Sequence, residues 1–147
     1  MGAISEIIKG VKDITEYKLQ ANTIKLELKD EIILNIKFLK DVQSNKAISD
    51  ERLKEVIQHL SIEEMNAYLI SKYPKSFICR KKVTEAVVGK IPAQRLLTGN
   101  QVVDLEELCR RIRRMIKYLK ADFDGLKRPK QNALNIKYYL QVARKLI

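Results

Sequence analysis

The sequence predicts an all-α protein, a compact bundle of six or seven helices. Three observations carry that expectation. Apolar residues recur at three- and four-residue intervals along most of the chain, the spacing that places them on one face of a helix. Helix-start signals precede several of these runs, and Gly or Pro follows them. The only region with strand-like alternation lacks a strong hairpin turn. At 147 residues, 46% hydrophobic and 32% charged, the chain can enclose a substantial core, and general disorder is not expected. No repeat or low-complexity linker divides it, so residues 1–147 are read as a single helical domain.

Ile4, Ile7, Ile8, Val11 and Ile14 predict the first helix. Residues 23–38 admit two readings. Ile24, Leu26 and Leu28 alternate, and Ile32, Leu34, Ile36 and Phe38 could return as the second strand of a small β-hairpin. The same segment places Leu28, Ile32, Ile36 and Leu39 on one helical face. Helix is the favoured reading, because Lys29-Asp30 lacks the residues a two-residue hairpin turn demands.

Ser49 can cap a helix running through Gln58, buried through Leu53, Val56 and Ile57. Ser61-Ile62-Glu63-Glu64 has the Ser-x-x-Glu pattern of a capping box, opening a helix to Lys72 that stops before Pro74. Residues 77–88 are expected to form another helix, closed by Gly89 and Pro92. A short helical turn should follow from Pro92 to Leu97, ahead of Thr98-Gly99-Asn100. Asp104-Leu105-Glu106-Glu107 starts the strongest helix, with Leu105, Leu108, Cys109, Ile112, Met115, Ile116 and Leu119 as its buried stripe. Asp124-Gly125 breaks the run. Pro129 opens a final helix to about Lys145, with Leu134, Ile136, Leu140, Ala143 and Ile147 as its apolar contacts.

Charge divides the chain unevenly. Residues 1–71 hold ten Lys/Arg against twelve Asp/Glu, whereas residues 72–147 hold nineteen against six. The first half is acidic to neutral at −2, and the second carries +13, which together give the net charge of +11. A positive field confined to one half suggests a surface for a polyanion such as nucleic acid. Arg110, Arg111, Arg113, Arg114, Lys117 and Lys120 fill the positions between the apolar residues of the strongest helix. Burying them would leave cations without enough nearby carboxylates, so they are expected to face solvent and phosphate. Arg80, Lys81, Lys82, Lys90 and Arg95 could extend that surface, and Lys127, Arg128 and Lys130 sit in a loop suited to backbone contact. Arg144 and Lys145 extend it or fray at the terminus. Tyr118, Tyr138 and Tyr139 are candidates for stacking on unpaired bases, although core or ordinary surface packing is the commoner fate of a tyrosine. A helix-turn-helix over residues 83–97 would aim Gln94 and Arg95 at a groove, but Pro92 leaves little recognition helix before Gly99.

Catalysis is not expected. The lone histidine, His59, stands at a predicted helix end. Glu63 and Glu64 are adjacent and tied to a cap, and Asp122-Phe123-Asp124-Gly125 describes a turn rather than a calcium loop. No Gly-rich phosphate loop or dinucleotide fingerprint appears, and neither Cys79 nor Cys109 has zinc-ligand spacing. Cys109 falls on the core stripe. Cofactors and metals are therefore not expected, nor is a membrane span. The N-terminus lacks a secretion pattern, which favours an intracellular setting, cytoplasm or nucleoid/nucleus. The expected function is that of a non-catalytic nucleic-acid-binding accessory protein contacting DNA or RNA phosphates through its basic half. The alternative is a helical adaptor or structural subunit with a protein partner, including a second copy of itself.

Overall fold

The fold is known from a computed structural model that describes residues 2–99 and 101–147, with backbone alone for residues 2–9 and 11. Six α-helices follow one another: α1 (Gly2–Ser44), α2 (Asp50–His59), α3 (Glu63–Ile70), α4 (Glu85–Val88), α5 (Leu105–Ala121) and α6 (Pro129–Leu146). Two short 3₁₀ turns, Lys75–Phe77 and Gln94–Leu97, lie between α3 and α5. Among the described residues there is no strand, only an isolated bridge between Lys82 and Asp104.

The expected first helix and the ambiguous segment after it are one continuous helix of 43 residues, about 64 Å long at 1.5 Å per residue. Burial decides against the hairpin. Leu28, Ile32, Ile36 and Leu39 are fully or almost fully buried, whereas Leu26 and Leu34, which only an alternating strand would turn inward, are about half exposed. Nothing at Lys29-Asp30 supplies the positive-φ residues of a tight turn, so the helical repeat prevails. The side chains of Ile4, Ile7, Ile8 and Val11, expected to line the first helix, lie outside the described residues, as does Asn100 of the expected turn.

Helix α6 packs against both α1 and α5, while α2 and α3 each touch α1 and α5, and α4 rests on α6. Buried side chains from all six helices join in one hydrophobic cluster. The α5 stripe is buried as its spacing predicts, with Met115 half-buried. In α6, Ile136, Leu140 and Ala143 are buried, and Leu134 and Ile147 pack at the edge.

Ser49 caps α2 by accepting from the Arg52 N–H, and Asp104 caps α5 by accepting from the Glu107 N–H at 3.0 Å. The Glu107 carboxylate returns the interaction one residue further out, accepting from the Val103 N–H at 3.0 Å. The capping box at Ser61 does not form. Its place is taken by Glu31 of α1, whose carboxylate accepts from the Glu64 N–H at 2.7 Å, the Met65 N–H at 3.1 Å and the Ser61 hydroxyl at 3.0 Å. One turn along α1, buried Asn35 donates to the Ser61 carbonyl and accepts from the Ser61 N–H. A partner distant in sequence thus satisfies the free donors that a local cap would have taken. At the other end of α3, the Lys75 ammonium donates to the Tyr68 and Ser71 carbonyls, and the helix stops at Ile70, short of Lys72.

The expected helix over residues 77–88 is reduced to the 3₁₀ turn Lys75–Phe77 and the four-residue α4. Between them the chain is extended, held by the Val83 N–H donating to the Val103 carbonyl at 2.8 Å. Thr84, in a β conformation, caps α4 by accepting from the Val87 N–H, so the helix cannot begin earlier. Gly89 then closes it with a φ of 53°.

Candidate nucleic-acid interface

Helix α5 sorts its residues by charge as well as hydropathy. Glu106 and Glu107 occupy its first turn and Lys120 its last, matching the helix dipole. Arg110, Arg114 and Lys117 follow at i, i+4 and i+7 on the exposed side. The structure then separates cations that serve the fold from those that do not.

Several expected phosphate contacts are engaged internally. Lys120 donates to the Leu60 carbonyl at the end of α2. Lys130 donates to the carbonyls of Asn45 and Lys46 just beyond α1, at 3.2 and 3.5 Å. Arg113 reaches Asn66 Oδ1 at 3.2 Å, Arg110 pairs with Glu106 at 3.1 Å, and Lys82 stands 3.9 Å from Asp104. Arg80 donates to the Ser76 carbonyl. Arg111 is half-buried and engaged. Lys145 donates to the Val87 carbonyl, fastening α6 to α4. Lys137 is only 4% exposed, and burial together with the nearby Lys40 pushes its pKa down.

Arg95, Arg114, Lys117, Lys127 and Arg128 make no side-chain hydrogen bond or ion pair among the described residues, and all five are exposed. Four of them line clefts that border the first turns of α6. A polar cleft of ≈ 450 Å³ lies between the second 3₁₀ turn and α6, with Arg95 and Arg128 on its walls and Tyr139 beside them. An apolar cleft of ≈ 270 Å³ between α5 and α6 carries Arg114 and Tyr118 at its edge. A third faces α2 and is lined by Lys127, Arg128 and Lys130 together with the Asp50 carboxylate of α2. Asn132 is common to the first and second clefts, and Arg128 and Gln131 to the first and third. Cations from the 3₁₀ turn, from α5 and from the α5–α6 loop therefore converge, although up to 33 positions separate them in the chain. Arg128 holds the N-cap position of α6 without a side-chain cap, so the positive end of the helix dipole adds to the same field.

The remaining expected residues lie elsewhere. Arg80 and Lys82 line a separate cleft with Asp104 and Glu106, whose carboxylates offset their charge. Lys81 and Lys90 are exposed, and Lys90 adjoins Ile91, which lines a shallow hollow with Arg144 and Lys145. Tyr118 is exposed, and Tyr139 is half-buried in the polar cleft. Tyr138 faces the Lys137 ammonium at 5.4 Å instead. The helix-turn-helix geometry is absent among the described residues: α4 and the 3₁₀ turn Gln94–Leu97 have four residues each.

Sequence reasoning missed the amides. Gln131, Asn132 and Asn135 share one face of α6 and line the polar cleft with Gln94. Their spacing at i, i+1 and i+4 was the available signal.

His59 is exposed and packs on Phe38 at 5.9 Å between ring centroids. The Cys109 thiol is fully buried, and burial pushes its pKa up to about 12. Among the described residues, no three His, Cys, Asp or Glu side chains gather as a metal site would require. No helix there is long and apolar enough to cross a membrane. No protein-family model, curated protein or solved structure matches this chain.

Proposed function

We propose that this protein is a non-catalytic nucleic-acid-binding accessory factor that meets the phosphate backbone around the start of α6. The convergence of Arg95, Arg114, Lys127 and Arg128 from three chain segments carries this reading. Ordinary solvated charge needs no such convergence, and carboxylates do not line the polar cleft. Arginine offers rigid multidentate contacts to phosphate, and each neutralised phosphate releases counterions. Lys117 extends the track along α5. DNA and RNA both present this chemistry.

The test is titration of labelled single-stranded DNA, single-stranded RNA and duplex DNA against the wild type and the Arg114→Glu/Arg128→Glu variant. Neither side chain makes an internal polar contact among the described residues, so the variant should fold. It should bind at least about a hundredfold more weakly, since charge reversal at two contacts replaces attraction by repulsion. Wild-type affinity in the variant would remove this surface from the account.

A second reading, a helical adaptor or structural subunit, has its own support. Ile14 and Leu19 of α1 and Ile70 at the end of α3 are exposed, Ile70 to 80%. Residues 12–20 of α1 are exposed, and the Tyr17 ring meets that of Tyr73 at 5.3 Å between centroids. Oligomeric state measured by light scattering tests the self-association form of this reading. A stable dimer would support it, and a strict monomer would restrict it to a different protein partner.

A further inference from the structure

The polar cleft between the 3₁₀ turn Gln94–Leu97 and α6 differs in chemistry from a surface that only gathers phosphates. Arg95 and Arg128 stand at its walls, and its α6 side is made of Gln131, Asn132 and Asn135, with the ring of Tyr139 one further turn along. Part of this hydrogen-bonding capacity is used inside the cleft, where Gln131 Nε2 donates to Asn135 Oδ1 at 3.0 Å. The remainder is open. Asn132 makes no side-chain hydrogen bond among the described residues, and the Gln131 carbonyl and the Asn135 amino group are uncommitted. A carboxamide presents a donor and an acceptor side by side, the pattern that matches a nucleobase edge and that a phosphate, an acceptor alone, leaves half unused.

Size and shape point the same way. The cleft's volume of ≈ 450 Å³ falls within the roughly 300–1,000 Å³ of small-molecule sites. A concave site of this kind can receive a base that has left its stack. In a duplex the base edges lie recessed in grooves, and reading them requires a protruding helix or ribbon. The 3₁₀ turn on the cleft wall has only four residues, too short to act as such a reading element. Resting on the nucleic-acid reading above, the geometry points to this cleft as a pocket for an unpaired nucleobase, making single-stranded nucleic acid the ligand class. The amides of Asn132 and Asn135 hold the base edge, Tyr139 lies against its face, and Arg95 and Arg128 take the flanking phosphates.

Fluorescence anisotropy with labelled strands of about ten nucleotides separates the two layers of this account. The strands are single-stranded DNA and RNA of mixed sequence, an abasic strand of equal length, and a duplex. The wild type should prefer base-bearing strands over the abasic strand by about tenfold or more, the range of one stacked and hydrogen-bonded base. Asn132→Ala/Asn135→Ala should erase most of that preference while leaving affinity for the abasic strand unchanged. Alanine suits a helix, so the variant keeps its fold, as circular dichroism will show. Tyr139→Leu provides a second, independent variant with the same expected outcome. The preference seen with either DNA or RNA supports the pocket, and comparison of the two identifies the sugar it favours. Equal wild-type affinity for base-bearing and abasic strands overturns the pocket and leaves phosphate binding standing. Unchanged preference in both variants also overturns it. Failure of the wild type to bind any strand overturns both readings.

Discussion

Replacing Glu31 by Ala perturbs the joint on which α2, α3 and α1 meet. Its carboxylate, only 7% exposed, accepts three hydrogen bonds, two of them from the first turn of α3. Hydrogen bonds to a charged group contribute about 1.5–3 kcal/mol each, so three would reach roughly 4.5–9 kcal/mol. Burying the carboxylate costs several kcal/mol in the wild type and disappears with it. The expected net loss is about 2–3 kcal/mol, at or just above the upper end for removal of an ordinary N-cap. For a chain of this size that lowers the melting temperature by about 5–10 °C. Thermal and urea unfolding followed by circular dichroism would measure it. A loss below about 0.5 kcal/mol, the scale of an ordinary surface change, would refute the claim that this side chain caps α3.

Glu31 also carries a pH signature. Burial raises its pKa above 4.5, against the opposing pull of the Glu64, Met65 and Ser61 donors. The folded protein therefore holds this proton more tightly than the unfolded chain. The increment of stability linked to this proton is fully present below pH 4.5 and is lost as pH rises through the folded-state value, while the hydrogen bonds to the carboxylate persist. Subtracting a Glu31→Gln variant's stability–pH curve from that of the wild type should reveal this decline, and a difference rising with pH would contradict it.

Gly89→Ala should destabilise by about 1–2 kcal/mol, because its φ of 53° strains any residue with a Cβ. Gly10→Ala in α1 should have the opposite sign, a gain of about 0.5–1 kcal/mol, since nothing lies within 4 Å of the added methyl. Equal effects in chemical-denaturation curves would undo this contrast. Of the two free cysteines, half-exposed Cys79 should react with Ellman's reagent near neutral pH. Buried Cys109, its thiol pushed up to about 12, should react only on unfolding. Two fast thiols in the native protein would show that the α5 seam opens readily.

Helix class was legible because it depends on local periodicity. The stripe from Leu105 to Leu119, the Ser49 and Asp104 caps and the Pro129 start all involve neighbours within four residues. The cap on α3 was illegible for the opposite reason: Glu31 lies 33 positions before Glu64, and no local pattern registers that pairing. Residues 77–88 misled through their composition, since the pairing of Val83 with Val103 outweighed a moderate helical preference. The interface was legible as a charged half but not as a place. Sequence could not tell Lys120 and Lys130, spent on the helix-end carbonyls of α2 and α1, from Arg114 and Arg128, left open to solvent. The amide face of α6 is legible from spacing alone, but neutral residues leave no trace in a charge pattern.

The salt dependence of binding to a short single strand tests the central claim most directly. With four or five phosphates neutralised by Arg95, Arg114, Lys127, Arg128 and Lys117, log K should fall against log salt with a slope of about −3. Raising salt from about 50 to about 200 mM should then weaken binding roughly 50–130-fold, and each single Arg→Ala change in the set should reduce the slope by about 0.7. A slope near zero, or one unchanged in Arg114→Ala and Arg128→Ala, would contradict the assignment of this cation cluster to phosphate.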